Sequence, residues 1–269
     1  MNTEPSPPPL QCRLCGAQVC RAFSLQVLGK HNVAYLLCTA CGSLQTEPAY
    51  WMQEAYESHL ARLDTGAAQR ALTNLAASYT VSVVLRLNDV LDFGGGDGLL
   101  CRLLRDYRIN CFVADKYAAA TYALAFTRPN FQEPGLLLAF EVVEHFENPR
   151  IDLESLFAHK PHAILASTSV YSGQGSDWWY LTPETGQHLF FYSRDALDRI
   201  ARAHGYSLLV RGYYILFVRT GRLDVIRKVA LSVALSRPFL RLTGALLRVS
   251  PTRGVSTDFD SLRKKGNPP

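Results

Sequence analysis

The chain has no uninterrupted apolar run long enough to cross a bilayer, so no transmembrane helix is expected. Its opening, MNTEPSPPPL, has no basic stretch leading into an apolar core. It reads as a disordered, proline-stiffened tail rather than a secretion signal. Charge is also sparse. Charged residues make up 19% of the sequence and hydrophobic residues 48%, a globular composition well outside the disordered range. The formal net charge of +5 is a mild excess spread along the chain, which permits anionic partners without arguing for nucleic acid. A length of 269 residues accommodates one large domain, or a medium domain with a small module. No disulfide framework is expected: the seven cysteines are odd in number and four fall into two tight pairs. That is a metal pattern in a reducing, cytoplasmic compartment.

The pairs are Cys12 and Cys15 in CRLCG, and Cys38 and Cys41 in CTACG. In each knuckle two thiolates converge on one ion, and the glycine after the second cysteine supplies a positive-φ turn. Joined by the β-rich AFSLQVLGKHNVAYLL, they predict a zinc ribbon over residues 11–47 with a tetrahedral four-thiolate site. A module this small buries too little core by itself, so the metal is structural. Cys20 and His31 are left over as bystanders. Residues 48–86 repeat apolar positions at three and four and predict a helical connector. From residue 87 to 220 short apolar strands alternate with helices, which predicts a parallel sheet wrapped by helices. YSLLVRGYYILFVRT, two strands about an Arg-Gly, predicts a closing hairpin and hence one antiparallel edge strand. Residues 221–269 form a basic, amphipathic helical tail with a kink expected at Pro238.

The stretch NDVLDFGGGDGLLCRLL is a strand, a glycine loop and a helix, the nucleotide-binding crossover. It does not match the dinucleotide fingerprint. Counting from Gly94 and Gly96, the third glycine belongs at 99, which is Leu99, and Gly98 comes one residue early. Asp97 also puts a carboxylate where a pyrophosphate has to approach the helix. The pattern present is D-x-G-x-G-x-G, from Asp92 through Gly94, Gly96 and Gly98. Such an acidic loop suits a ligand without phosphate that carries an amino group and a sulfonium. Asp115 ends the next strand, 23 residues after Asp92, where a carboxylate can take both ribose hydroxyls.

In these motifs and their order the core resembles the class I S-adenosylmethionine-dependent methyltransferases. The resemblance implies an α/β fold with a Rossmann-like seven-stranded sheet, one strand reversed, preceded here by the small ribbon. It implies S-adenosylmethionine as cofactor, with Glu141 lining its pocket. The front end, CRLCG…LLCTACGSLQ followed by YWMQEAY, resembles that of bacterial deoxysugar and polysaccharide methyltransferases. That resemblance implies a small-molecule sugar or a nucleotide- or lipid-linked glycan as acceptor, methylated at oxygen, nitrogen or carbon. In the sugar C-methyltransferases the segment after the fifth strand reads Tyr-His-Glu-His, then aromatics and serine. Here TGQHLFFYS aligns His188 with the last histidine and Ser193 with the serine, while Gln187 and Thr185 replace the acid and the tyrosine. His188 is therefore the candidate general base. Trp178, Trp179 and Tyr180 either stack on the acceptor or edge the core.

AFEVVEHFENP spaces Glu141, Glu144 and His145 at i, i+3 and i+4, one face of a first helical turn. Similar Glu-x-x-Glu-His motifs in ubiquinone-pathway and small-RNA O-methyltransferases help bind a divalent cation. The resemblance implies a magnesium site at Glu141, Glu144, His145 and His188, with Glu141 and His145 taking part in catalysis. The other reading leaves Glu144 and His145 as structural braces.

Two other functions fit the outline. A zinc-ribbon RNA methyltransferase is one, but Glu141-Val-Val-Glu144 stands where adenine enzymes carry Asn/Asp-Pro-Pro-Tyr. Cys101 and Cys111 are also misplaced for cytosine chemistry, and the ribbon has no basic stripe, so nucleic acid is not the expected partner. A non-catalytic cofactor-binding module is the other, and the intact glycine loop argues against it. The tail over residues 222–249 packs on its own domain or on a twin subunit in a homo-oligomer, or lies peripherally on an anionic inner-membrane surface.

Overall fold

The structure, a computed structural model, describes residues 10–57 and 65–265. The proline-rich start and part of the expected helical connector lie outside the described residues. The described chain divides into two compact units. One comprises residues 10–57, 144–154 and 169–200, and the other residues 65–143, 155–168 and 201–265.

In the first unit β1 (Val19–Val27) and β2 (His31–Cys38) form an antiparallel hairpin. Leu28 and Gly29 turn it with φ of 52° and 71°, the pair of positive values that a tight hairpin of right-twisted strands requires. β3 (Leu44–Thr46) pairs with β2, and a distant two-residue strand, β8 (Phe190–Phe191), pairs with β3 through Leu44–Phe191 and Gln45–Phe190. The sheet order is β1-β2-β3-β8. Its apolar face closes over Tyr35, Leu44, Trp51, Leu181, Leu189 and Phe191, all buried. Trp51, which leads into α1 (Met52–Glu57), donates its indole N–H to the Gly186 carbonyl at 2.8 Å. Gly186 has a φ of 65°, and a Cβ there would stand 2.8 Å from Val27 and 3.1 Å from the Trp51 ring, so this contact tolerates only glycine.

The second unit holds α2 (Ala67–Leu85), β4 (Asp89–Phe93), α3 (Leu99–Asp106), β5 (Asn110–Ala114), β6 (Leu136–Phe140) and β7 (Ala163–Ser167). The hairpin β9 (Tyr206–Arg211) and β10 (Tyr214–Arg219) follows, turning at Gly212. Helices α4 (Pro149–Ala158) and α5 (Arg194–Ala203) each begin in the first unit and end in the second. The sheet order is β5-β4-β6-β7-β10-β9, with the first four strands parallel. Its central strands LLLAF and AILAS are apolar on both faces, as strands covered on both sides by helices must be.

The fold is the expected Rossmann-like α/β sheet with a small N-terminal sheet, and it differs in two details. The sheet has six strands among the described residues, not seven. Residues 115–135 form turns and a short 3-10 segment, because Pro129 and Pro134 interrupt the run and neither can donate to a ladder. The reversed strand is β10, which lies between β7 and β9 rather than at the edge.

Three helices follow the sheet among the described residues: α6 (Val225–Ala234), α7 (Arg237–Val249) and α8 (Arg253–Lys265). The axes of α6 and α7 bend by 76°. The break comes before the proline, around Ser236, and Pro238 sits in the first turn of α7, where its missing N–H costs nothing. α7 packs on α2 and α8 on α3. The buried Asp258 of α8 accepts from Arg105 at 2.7 Å and from Arg102 at 2.8 Å, holding the helix that follows the glycine loop.

Burial separates two aromatics of the 177–193 segment. Phe191→Ala should cost about 3–5 kcal/mol, as for other large-to-small core changes. Trp179→Ala, at a ring 62% exposed, should stay within about 0.5 kcal/mol. Urea unfolding of both variants checks the contrast.

Candidate functional site

In the order β5-β4-β6 the chain leaves β4 for one side and later returns on the other, the switch point where open α/β sheets bind ligands. The glycine loop stands there. Gly94 has a φ of 68°, and a Cβ would fall 2.6 Å from Val142; Gly98, at 80°, opens α3, and its Cβ would fall 2.8 Å from Ala123. At Gly96 nothing lies within 4 Å of the Cβ position, so the loop is tight at both ends and open in the middle. The Gly96 N–H donates to Asp115 Oδ2 at 2.9 Å, while Asp115 Oδ1 accepts from the N–H groups of Tyr117 and Ala118 at 2.7 and 2.8 Å. A carboxylate has about four lone-pair sites, so Asp115, which already accepts three bonds, retains capacity for one hydroxyl donor, on Oδ2.

Asp92 lies beneath the loop, 2% exposed, and its Oδ2 has no hydrogen-bond partner. Burial pushes its carboxyl up to about 7, with the charges of Asp115 and Asp97 adding to the effect. Glu141 follows β6 in a left-handed conformation, φ 54°. Ser167 holds it there: Ser167 Oγ accepts the Glu141 N–H at 2.9 Å and donates to Glu141 Oε1 at 2.8 Å. Four carboxylates thus serve one loop and three strand ends, while Lys116 turns toward the Tyr117 ring. This donor set suits a cationic, hydroxyl-bearing ligand and opposes a phosphate. S-adenosylmethionine has that chemistry, so the residues present fit it.

The left-handed Glu141 also ends the expected helical face. Glu141, Glu144 and His145 do not share a first turn; Val143–His145 is a separate 3-10 segment. In the first unit, ligand atoms of Glu144, His145 and His188 lie within 4.8 Å of one another. Glu144 is fully buried and accepts from the Tyr180 hydroxyl at 2.7 Å. His188 Nδ1 lies 2.7 Å from the Tyr180 carbonyl. A carbonyl only accepts, so Nδ1 carries the hydrogen and Nε2 is the basic nitrogen of the ring. Burial and the neighbouring His188 lower the His145 imidazole to about 3, leaving it neutral at any working pH.

The other singled-out side chains are turned to backbone. Gln187 donates to the Ala55 carbonyl at 3.1 Å and Thr185 to Thr182 at 3.0 Å. Ser193 donates to the Cys41 carbonyl and caps α5 by accepting from Ala196. Trp178 packs against Tyr171 and Phe191. Sequence reasoning did not find Tyr180 as the group that orients both Glu144 and His188, nor Ser167 as the clamp on Glu141; no spacing signal links them.

Cys12, Cys15, Cys38 and Cys41 bring their sulfurs within 4.8 Å of one another, and Gly16 and Gly42 have the expected positive φ. Four thiolates about 2.3 Å from a tetrahedral zinc are about 3.8 Å apart. Cys12 and Cys41 lie at 3.8 Å and Cys15 and Cys38 at 3.5 Å, so the set fits zinc. The Cys12 thiol holds Cys41 down at about 5, near the thiolate a metal needs. Cys20 bonds to the Leu37 carbonyl and His31 to Glu54, apart from the cluster. Arg13, inside the first knuckle, donates to the carbonyls of Leu189 and Glu147 at 2.7 and 3.1 Å. It ties the knuckle to both segments that carry Glu144, His145 and His188.

The sequence model of the methyltransferase-domain family matches residues 50–210. Among solved structures, the chain is similar to the 1,6-didemethyltoxoflavin-N1-methyltransferase of Burkholderia thailandensis. The identity is 12% over 73% of this chain and 97% of that one, with a TM-score of 0.48. It is also similar to the mitomycin 7-O-methyltransferase MmcR, at 12% identity over 63% and 60% of the two chains and a TM-score of 0.45. The methyltransferase domain of bacterial CtHen1-C matches at 17% identity over 55% and 97%, with a TM-score of 0.41. No curated protein matches the chain.

The buried Asp92 has a measurable consequence. Its carboxyl titrates near 3.9 in an unfolded chain and near 7 in the fold, so between those values the folded state binds the extra proton. Ligand-free stability should therefore fall as pH rises from about 4 to about 7, by up to about 4 kcal/mol from this group. Asp92→Asn should remove that component, so urea midpoints of wild type and variant should diverge in their pH dependence. Parallel profiles would contradict the burial of a titrating carboxyl.

Proposed function

The chain belongs to the methyltransferase-domain family, and we propose that this S-adenosylmethionine-dependent methyltransferase acts on a sugar, or on a nucleotide- or lipid-linked glycan, as the resemblance of its front end implies. The proposal assigns Asp92, Gly94, Gly96, Gly98, Asp115 and Glu141 to the cofactor. Bound there, S-adenosylmethionine supplies a methyl group made electrophilic by its sulfonium. Asp115 offers its remaining lone pair to a ribose hydroxyl, Asp92 offsets positive charge from below, and the open Gly96 lets backbone approach the ligand. The four ribbon cysteines hold a structural zinc.

The observation that carries the acceptor side is the 2.7 Å bond from His188 Nδ1 to the Tyr180 carbonyl. It fixes the ring and presents Nε2 as a base able to take a proton from an acceptor hydroxyl or amine. Gln187 and Thr185 are engaged with backbone and offer no help to an enolate, which favours oxygen or nitrogen over carbon. The sparse charge of the ribbon favours a small polar acceptor over nucleic acid.

A second reading rests on the Glu144, His145 and His188 cluster as a divalent-cation site. Two neutral imidazoles and one carboxylate suit manganese, iron or zinc better than magnesium, which prefers oxygen donors. Glu141, held by Ser167, is not part of that ligand set. The two readings separate at His145: it is a ligand in the second and a bystander in the first.

Transfer of labelled methyl groups to a panel of nucleotide sugars tests the function. His188→Ala should keep affinity for S-adenosylhomocysteine within about twofold and lose about 10²–10⁴ in kcat. Unchanged turnover would remove His188 from catalysis. If His145→Ala retains turnover, the base reading stands. If it abolishes turnover and manganese binding together, the cation reading does.

A further inference from the structure

The whole +5 of the chain comes from one segment. Residues 221–249 hold six Lys or Arg and one Asp, an excess of five, and the remaining charges balance. This segment is α6 and α7, and both helices are apolar on two opposite sides. On α6, Leu231 is buried, and Leu235, just past its end, is buried in line with it. At 100° per residue Val225, Ile226, Val229 and Val233 fall on the opposite side. Val225 and Ile226 are 78% and 80% exposed. On α7, Leu240 and Leu247 face inward, while Phe239, Leu242, Leu246 and Val249 form an outward stripe at i, i+3, i+7 and i+10, with Val249 83% exposed. Arg237, Arg241 and Arg248 form a second row, about 80° round the helix from the near edge of that stripe, all exposed and none in an ion pair among the described residues.

The inner stripes explain how the helices hold to their own unit, with α7 on α2. They do not explain the outer ones, since a helix that only packs on its domain puts polar residues outward. We propose that the outward face of α6 and α7 docks on an anionic lipid surface, with its aliphatic and phenyl side chains in the headgroup boundary and its arginines against lipid phosphates. Length and charge select this occupant. The helices have 10 and 13 residues, about 15 and 20 Å at 1.5 Å per residue, too short to cross a hydrocarbon core of about 30 Å. The 76° bend leaves no single straight span, and Leu231, Leu235, Leu240 and Leu247 are already buried against the chain itself, so the pair is placed on a bilayer rather than across it. A second copy of the chain is a poor occupant, because a two-fold contact would set the arginine row near its own image. An anionic surface meets both the stripe and the row.

The proposal does not rest on the methyl-transfer reading, and its test does not use activity. The full chain is sedimented with vesicles of phosphatidylcholine, with and without phosphatidylglycerol. It should bind the anionic vesicles, release as sodium chloride is raised, and leave the neutral ones in solution. Each basic residue near such a surface is worth roughly fivefold in partitioning. The Arg237→Gln, Arg241→Gln, Arg248→Gln triple variant should therefore bind on the order of 100-fold more weakly. Phe239→Ser with Leu246→Ser should also lose binding. Urea midpoints of both variants close to that of the wild type verify that they are folded. No vesicle binding, equal binding to neutral vesicles, or full binding by the triple variant would overturn the proposal. So would a dimer in sedimentation equilibrium that Phe239→Ser dissolves while vesicle binding is absent.

Discussion

Asp92 carries its carboxyl into the interior at the end of β4, under the backbone of Gly95, where a Cβ would stand 2.5 Å from Oδ2. That one buried acid constrains the loop above it. No side chain fits at 95, Gly94 must turn with positive φ against Val142, and Gly98 must open α3 against Ala123. Asp115 fastens the loop through Gly96 N–H, and α8 braces α3 from outside through Asp258 and two arginines. A buried carboxyl held near 7 is costly to ionise unless positive charge arrives. A cationic ligand bound above Asp92 would relieve that cost.

In the first unit the organising contacts are between segments far apart in sequence. Arg13 donates from inside a cysteine knuckle to carbonyls at 147 and 189, and β8 completes a sheet begun by the ribbon. A metal that sets the knuckle thereby also sets Arg13, and through it the segments holding Glu144, His145 and His188. Tyr180 then does two jobs in one residue: its hydroxyl donates to Glu144 and its carbonyl sets the His188 tautomer.

Much of this was legible in the sequence because the signals are local. Strand VLDF, the glycine spacing, the acid after NCFVA and the two Cys-x-x-Cys pairs each carry their geometry within a few residues, and each stands where it was expected. What was not legible depends on distance or on one dihedral angle. Nothing in DWWYLTPETGQHLFFYS announces that Phe190 and Phe191 pair with Leu44 and Gln45, since two residues leave no period to read. The i, i+3, i+4 spacing of Glu141, Glu144 and His145 implied one helical face, and a single left-handed φ at Glu141 cancels it. The missing seventh strand follows from prolines that weigh more than the family outline. The tail reads as basic from the sequence, but the +5 is not spread along the chain as its total suggests: a window over residues 221–249 holds all of it.

The account stands on the claim that this acidic cradle selects a phosphate-free, positively charged adenosyl ligand. Calorimetric titration of the full chain with S-adenosylmethionine and, separately, with NAD⁺ tests it most directly. The account predicts saturable binding of S-adenosylmethionine and none of NAD⁺. Binding of NAD⁺ with comparable affinity, or failure to bind S-adenosylmethionine, would contradict it.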